Sequence, residues 1–226
     1  VKNDADAMAT AMYDECNMVA GGVPDAPKRR EWVGTECEPH YVKAEERELG
    51  EQIDCGAWEV VARHNLPRGT KVMRSGWTYR VKRDAKTGEI LRYKARFHVC
   101  GYSQQKGVHF DRVFSPVAKS DSVRMIMAIA AGRRMCLRMA DVSVAFLQSD
   151  LIFENLYAEM PSGYGVPGHV LHLKRPVYGA RQAGRRFNRR LHSWLVGHGF
   201  KQNIADSCVY QRKVGNDEII LAAHVD

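Results

Sequence analysis

The sequence contains no long apolar run. Its longest apolar stretches, such as residues 219–223, fall far short of the about 18 residues that a membrane-spanning helix requires, so we expect no membrane span. The first 16 residues, VKNDADAMATAMYDEC, are acidic and lack the basic-then-apolar order of a secretion signal. The chain begins with Val1 rather than Met and stops just after an apolar run, so we expect it to be a piece of a longer polypeptide.

Cysteine pairs at zinc-binding spacing are also missing. The six cysteines are scattered, and no two of them form a CxxC pair. Two short segments, CEPH (Cys37 and His40) and HVLH (His169 and His172), each supply only half of a four-ligand zinc site. Scattered reduced thiols in an intracellular protein are therefore the favoured interpretation.

The charge is positive and unevenly distributed. The net charge is +8, yet residues 1–66 carry 14 acidic and only 7 basic side chains. Residues 69–106 carry 10 basic side chains against 2 acidic ones, and residues 172–190 add 7 basic side chains and no acid. Two concentrated basic segments indicate a polyanionic partner. A pair of solvated basic faces is the alternative.

The order of predicted elements favours the α+β class, because helices and strands mix without strict βαβ alternation. Residues 1–40 combine Gly, Pro and charge without periodicity and are predicted to be a linker, followed by a surface helix over 41–55. Further helices are predicted over 121–132 and 181–199. The predicted strands are AWEVV, a hairpin over 71–102 that turns at Lys86-Thr87-Gly88, residues 137–142, NLYAEMP, HVLHLK, and a hairpin over 207–226 that turns at Gly215-Asn216. In the first hairpin, apolar residues alternate with basic ones, which predicts one apolar face and one strongly positive face.

Two carboxylates, Asp141 and Asp226, each lie at the end of an apolar predicted strand. If residues 137–142 and 219–226 are neighbouring antiparallel strands, the two carboxylates come close enough to share a hard divalent cation, which prefers oxygen ligands. Two such cations, about 3.5–4 Å apart, would activate a hydroxyl and stabilise a leaving pyrophosphate. The alternative is that each acid caps a helix or pairs with an arginine.

Seven segments, taken together and in this order and spacing, resemble one known family. They are AWEVV, RYKARFHVCGYSQQKGVHFDRVFSPVAKSDSVRMIMAIAA, DVSVAFLQSDL, YAEMPSGY, LKRPVYGARQAGRRF, GFKQNIADSCVY and HVD. This run is similar to the reverse transcriptase domain of copia-type retrotransposon polyproteins, over roughly residues 50–226. The resemblance implies an RNA-directed DNA polymerase with a fingers region and a partial palm, in which an antiparallel sheet packs on helices. Residues 1–50 would be an acidic linker or surface helix, 51–120 a basic fingers-like β region, and 121–226 the partial palm.

The resemblance also implies the catalytic metal ligands. Asp141 and Asp226 correspond to catalytic aspartates, and Val142 would offer its main-chain carbonyl to the same metal. The expected cofactor is a pair of Mg²⁺ ions, with Mn²⁺ as a substitute. HVD matches the start of the family's Tyr-Val-Asp-Asp turn, so a second acid is expected to follow Asp226. Residues 1–226 alone are therefore not expected to extend a primer.

The implied nucleotide-binding residues are Lys94, Arg96, Ala145, Phe146 and Gln182. Phe146 stands where the family places an aromatic ring under the incoming sugar, which excludes a 2′-hydroxyl. Gln182 corresponds to a residue that packs near the incoming nucleotide, and Arg96 with Lys94 to the fingers segment that neutralises the triphosphate. The implied partners are an RNA or DNA template with its primer, deoxynucleoside triphosphates, and the integrase and RNase H parts of the polyprotein, in a cytoplasmic particle or the nucleus.

The sequence departs from the family pattern at a few positions. The family usually has Lys-Asn where Ser143-Val144 stand, Tyr where His224 stands, and often Trp where Met135 stands. Two other interpretations therefore stay open. One is a non-catalytic, retroelement-derived nucleic-acid-binding protein, and the other is a decayed copy of the element.

Overall fold

The computed structural model describes residues 25–110, 112–149 and 155–224. The described residues fall into two compact units, one within Val1–Cys100 together with Tyr157–His172, the other within Gly101–Leu156 together with Leu173–Asp226. Helices occur with mainly antiparallel strands, which confirms the predicted α+β class. None of the described helices combines the length and the apolar composition that crossing a bilayer requires.

In its described part, the first unit contains two helices, a β-ribbon and a small sheet. Its elements are α1 (Arg29–Trp32), α2 (Glu38–Asp54), β1 (Trp58–Ala62), β2 (Val72–Met73), β3 (Ser75–Arg83), β4 (Ile90–Val99), β5 (Tyr157–Ala158) and β6 (His169–Leu173). The sheet has the order β1-β6-β5-β2, in which β5 pairs antiparallel with β6 and parallel with β2. Strands β3 and β4 form the predicted hairpin.

The core of this unit lies between the β3–β4 ribbon and the helices. Tyr79 and Ala95 of the ribbon pack against Trp32, Tyr41 and Ala44. The rings of Trp32 and Tyr41 stack with their centroids 5.0 Å apart, and Tyr79 meets Trp32 edge-on at 5.2 Å. The predicted apolar face of the hairpin is thus confirmed.

The prediction of an unstructured linker up to residue 40 is wrong for its described part. Residues 29–32 form a helical turn, and Trp32 is only 2% exposed. The surrounding Gly, Pro and charged residues carry no helical periodicity. The segment is ordered because the ribbon offers an apolar surface on which one large ring is buried.

Among its described residues, the second unit contains two longer helices and a three-stranded sheet. Its elements are α3 (Ser120–Gly132), α4 (Ala183–Gly197), β7 (Lys201–Gln202), β8 (Val209–Val214) and β9 (Asp217–Ala222), with 3₁₀ turns at Gly101–Ser103 and Ala145–Gln148. The sheet is antiparallel with the order β7-β8-β9. Gly215 has φ +60° in the tight turn between β8 and β9, as the predicted Gly-Asn hairpin requires.

The prediction of a strand over residues 137–142 is wrong. This segment has no regular secondary structure, and Leu137 and Met139 are 61% and 99% exposed. Alternation of side chains predicts which residues share a face, but a strand also needs a neighbour that satisfies its backbone N–H and C=O groups. In the part of the chain that the structure describes, β9 pairs only with β8, so residues 137–142 have no strand partner there.

Candidate nucleotide and nucleic-acid site

One face of the β3–β4 ribbon is strongly basic. Across the ribbon, Arg80 lies opposite Lys94 and Lys82 lies opposite Arg92. These four side chains are exposed, and Arg96, opposite Thr78, is half-buried on the same face. We call these five residues the basic ribbon face. The predicted triphosphate ligands Lys94 and Arg96 both belong to it.

The basic ribbon face opposes like charges across the strands. Cross-strand pairs of equal charge destabilise a β-ribbon, whereas a bound polyanion would convert the same pairs into favourable contacts. The apolar residues on the other face fix the orientation of these cations, because each strand alternates between its two faces. The ribbon therefore presents a concentrated positive charge on one of its faces.

The predicted metal ligands are only partly described. Asp141 and Val142 are exposed in the irregular segment that precedes the 3₁₀ turn at Ala145–Gln148. Asp226 lies outside the described residues, so the pairing of Asp141 with Asp226 stays a prediction. Among the residues that the structure describes, no three His, Cys, Asp or Glu side chains cluster at metal-binding distance.

The two cysteine and histidine half-sites have other contacts. His172 Nδ1 lies 3.0 Å from a carboxylate oxygen of Glu59, and the His172 ring stacks on Tyr157. His40 stacks on Tyr93 with the ring centroids 4.9 Å apart. These imidazoles serve packing and hydrogen bonding in the first unit.

The predicted sugar-contacting segment forms a short 3₁₀ turn. Val144, just before it, adopts the left-handed conformation with φ +46° and ψ +39°. Phe146 is half-buried, and its ring meets Tyr178 edge-to-face with the centroids 5.4 Å apart. Helix α4 packs against this turn, so Ala145 and Phe146 lie beside the helix that begins just after Gln182.

Gln182 lies within a network of buried amides. It is 4% exposed, and its Oε1 accepts a hydrogen bond of 3.0 Å from Nε2 of Gln104, which is 5% exposed. Oε1 of Gln104 in turn accepts the backbone N–H of Arg181 at 2.8 Å. The Nε2 group of Gln182 has no hydrogen-bond partner in the described part of the chain. Sequence reasoning missed Gln104, although it stands in the segment GYSQ that belongs to the family-like run.

Gln182 also lines a groove along helix α4. The groove has a volume of about 770 Å³, and its lining includes Arg112, Arg185, Arg186 and Arg189 together with Phe110 and Phe114. No carboxylate lines it among the described residues. Such a groove attracts anions, and its aromatic rings offer surfaces for stacking. The arginines in residues 172–190 predicted the positive charge of this region. The contribution of Arg112 and the two phenylalanines to the lining of the groove was not predicted from the sequence.

Comparison with known protein families assigns the chain to one of them. The family model for reverse transcriptase (RNA-dependent DNA polymerase) matches residues 56–226. The chain belongs to the reverse transcriptase family. The resemblance inferred from the seven sequence segments is thereby confirmed.

Several plant Pol polyproteins are similar to this reverse transcriptase chain. It is 34% identical over 189 residues to the retrovirus-related Pol polyprotein from transposon TNT 1-94 of Nicotiana tabacum, a match that covers 82% of the chain and 14% of that protein. The Pol polyproteins from transposons RE2 and RE1 of Arabidopsis thaliana are 32% and 30% identical, each over 79% of the chain and 12% of the relative. The chain thus spans about an eighth of the length of these relatives. No solved structure matches it.

Proposed function

We propose that this chain forms the fingers-like and partial palm regions of an RNA-directed DNA polymerase within a retrotransposon Pol polyprotein. The basic ribbon face carries this proposal, because five basic side chains on one face of a ribbon form a concentrated positive surface that attracts a polyanion. Family membership supplies the kind of polyanion, a primer–template and a nucleoside triphosphate. The ranges 51–120 for the fingers-like region and 121–226 for the partial palm belong to the same proposal.

The proposed reaction is template-directed nucleotidyl transfer. The primer 3′-hydroxyl attacks the α-phosphorus of a deoxynucleoside triphosphate, a new phosphodiester bond forms, and pyrophosphate leaves. In this proposal Lys94 and Arg96 bind the triphosphate oxygens, and Phe146, held edge-on by Tyr178, occupies the space that a 2′-hydroxyl would need. Ala145 and Gln182 line the nucleotide pocket beside that ring.

Asp141, Val142 and Asp226 are the proposed metal ligands. A carboxylate and a main-chain carbonyl are oxygen donors, which suit Mg²⁺ or Mn²⁺, and the exposure of Asp141 leaves its carboxylate accessible to a cation. When bound, two such ions supply activation of the hydroxyl and charge stabilisation at the leaving pyrophosphate. The chain itself contributes the carboxylates that hold these charges in place.

The proposed partners follow from the polyprotein relatives. We assign the chain a primed RNA or DNA template, deoxynucleoside triphosphates, and the integrase and RNase H parts of the same polyprotein. A cytoplasmic particle or the nucleus is the proposed location, since template and primer meet there.

Primer extension tests this function. The full-length polypeptide that carries this chain is given a DNA primer on an RNA template, deoxynucleoside triphosphates and Mg²⁺. We expect the unmodified polypeptide to extend the primer. Asp141→Asn should abolish extension but retain affinity for the primer–template, because the amide has the size of the carboxylate but not its charge. The control Asp217→Asn changes an exposed acid at the start of β9. Full extension by Asp141→Asn would show that this acid is not catalytic.

A second candidate, a decayed copy that binds nucleic acid without extending a primer, has one observation in its favour. Val144 occupies a left-handed position that a β-branched residue disfavours, where the family usually has Asn. In the same assay, salt-sensitive binding without extension by the unmodified polypeptide would support this candidate.

A further inference from the structure

Two buried glutamines link separate segments of the second unit. Gln104 follows the 3₁₀ turn at Gly101–Ser103, and Gln182 immediately precedes helix α4. The segments approach closely, since a Cβ at Gly101 would lie 2.1 Å from the carbonyl oxygen of Gly179. Arg181 Nε also donates to the carbonyl oxygen of Gly101 at 2.9 Å.

The hydrogen bonds distinguish the oxygen end from the nitrogen end of each side-chain amide. The backbone N–H of Arg181 can only donate, so the Gln104 group facing it must be the carbonyl oxygen. The Gln104 amide nitrogen therefore faces Gln182 and donates to its oxygen. The Nε2 group of Gln182 is therefore not bonded to Gln104.

The orientation leaves a buried donor without an acceptor in the described part of the chain. An unsatisfied buried donor lowers stability, and buried amides in folded proteins are nearly always paired. An amide N–H₂ group donates to an oxygen acceptor, which a ligand in the neighbouring groove would supply. Gln182 lines the arginine-rich groove, so the surroundings also favour an anionic ligand.

We propose that Gln104 is a positioning residue that fixes the Gln182 amide so that Nε2 donates to an oxygen of the incoming nucleotide. The inference rests on the proposed function, which places Gln182 beside that nucleotide. Among the described residues, the side-chain amide of Gln104 forms hydrogen bonds with Gln182 and with the backbone N–H of Arg181. Its effect is to select one of the two amide orientations of Gln182.

The substitution Gln104→Glu distinguishes a role of Gln104 in positioning Gln182 from a role in packing. The carboxylate has nearly the volume of the amide and still accepts the Arg181 N–H, but when ionised it cannot donate to Gln182. Gln182 then turns its nitrogen toward Glu and its oxygen toward the ligand. Gln104→Leu removes both hydrogen bonds and leaves Gln182 free to rotate. Gln105→Glu, at the exposed neighbouring position, is the matched control for added charge.

The experiment measures the dissociation constant for dTTP with Mg²⁺ on the full-length polypeptide bound to a DNA-primed RNA template. We expect Gln104→Glu to raise the dissociation constant for dTTP about tenfold, which corresponds to the free energy of one hydrogen bond. Gln105→Glu should leave this constant unchanged. In a Gln182→Leu background, Gln104→Glu should cause no further loss, because the two residues act as one unit. Thermal unfolding of each variant shows whether it is folded.

The outcomes separate this inference from the proposed function. If the unmodified polypeptide binds dTTP and Gln104→Glu lowers only its thermal stability, Gln104 is a packing residue and the inference is overturned. The inference would also be overturned if Gln104→Glu caused an equal loss of dTTP affinity in the unmodified and the Gln182→Leu backgrounds. If the unmodified polypeptide binds primer–template but no dTTP, the proposed polymerase function itself fails, and the inference fails with it.

Discussion

At the scale of single residues, the segment from Val144 to Phe146 combines an unusual backbone with a half-buried ring. Val144 and Arg134 are the described non-glycine residues with positive φ. Left-handed geometry crowds a β-branched side chain against its own backbone, whereas Asn adopts it readily. The family pattern of Asn at position 144 therefore has a physical reason.

Val144→Asn should stabilise the chain. Relief of left-handed strain is worth about 1 kcal/mol in the free energy of unfolding. Urea denaturation measures the change. Val117→Asn is the matched control, because Val117 is also outside regular structure but has no left-handed backbone. Equal effects at the two positions would mean that general polarity, not backbone strain, governs the result.

Phe146→Ala should relax sugar discrimination in the full-length polypeptide. Removing the ring opens the space of a 2′-hydroxyl, so the ratio of ribonucleotide to deoxynucleotide incorporation should rise more than total incorporation falls. Competitive incorporation measures this ratio. Phe200→Ala removes a ring of similar burial in the same unit and should leave the ratio unchanged. An unchanged ratio in Phe146→Ala would make Phe146 an ordinary packing residue.

Asp206 is a further residue whose chemistry is set by its contacts. Its carboxylate accepts hydrogen bonds from the Ser122 hydroxyl and from the backbone N–H groups of Cys208 and Lys119, and these hold the pKa of Asp206 below its ordinary value. Since Lys119 precedes α3 and Cys208 precedes β8, one side chain ties the start of the helix to the sheet.

The stability that Asp206 contributes should depend on pH. Its pKa is lower in the folded chain than in the unfolded chain, where it is about 3.9. The ionised form therefore stabilises the fold above that value, and this contribution is lost as the pH falls through the folded-state pKa.

Asp206→Asn should lower the free energy of unfolding by about 1–3 kcal/mol near neutral pH, because one amide cannot accept all three hydrogen bonds. The difference from the unmodified chain should shrink as the pH falls below about 4. Denaturation across pH tests this, with Asp217→Asn as an exposed control. A difference that is constant with pH would contradict a role for the carboxylate charge.

At the scale of elements, the β3–β4 ribbon joins the core of the first unit to a charged surface. Tyr79 donates a hydrogen bond to the buried carboxylate of Glu45 on α2, and Arg29 Nε lies 3.2 Å from the same oxygen. Burial is the main cause that raises the pKa of Tyr79, so this hydroxyl stays protonated as a donor. These contacts hold the apolar face against α2 and orient the basic face outward.

Neutralising Arg92, Lys94 and Arg96 together to Gln should weaken binding of a primer–template. Each lost phosphate contact reduces the slope of log affinity against log salt by about 0.7–0.9. Fluorescence anisotropy at several salt concentrations measures both affinity and slope. The control exchanges Arg30, Lys43 and Arg47, exposed in the helical part of the same unit, for Gln. If both triple variants lose affinity equally, net charge rather than the ribbon governs binding.

At the scale of the whole molecule, the charge is strongly asymmetric along the sequence. The chain carries a net charge of +8, although its first 66 residues are acidic. Basic groups are therefore concentrated in the ribbon and in the arginine-rich segment that includes the start of α4. Such a distribution steers a polyanion toward the basic surfaces before specific contacts form.

The association rate with a DNA-primed RNA template should consequently fall steeply with salt. Between about 50 and 200 mM salt we expect a decrease of about tenfold or more, since screening removes the long-range attraction. Stopped-flow fluorescence measures the rate. A peptide nucleic acid duplex of the same sequence is the control, because its uncharged backbone should show neither fast association nor a salt effect. A rate independent of salt for the natural duplex would contradict electrostatic steering.

The sequence by itself determined the elements whose pattern is local. Alternation in β3 and β4, the Gly-Asn turn before β9, and the helical periodicity of α3 and α4 were read correctly, because side-chain spacing and turn residues act within a few positions. The ordered motifs also sufficed to identify the family, and with it the proposed roles of Asp141, Phe146 and Gln182.

The tertiary structure decided what depends on partners distant in sequence. Residues 137–142 alternate like a strand but have no strand partner among the described residues, whereas residues 29–32 lack periodicity yet fold because Trp32 is buried against Tyr41 and Tyr79. The Gln104–Gln182 bond joins residues 78 positions apart, and no local pattern signals it. Hydrogen bonds between remote segments, and the burial of their side chains, arise only when the chain is folded. Sequence spacing therefore predicts candidate helices and strands, and the tertiary contacts decide which of them form.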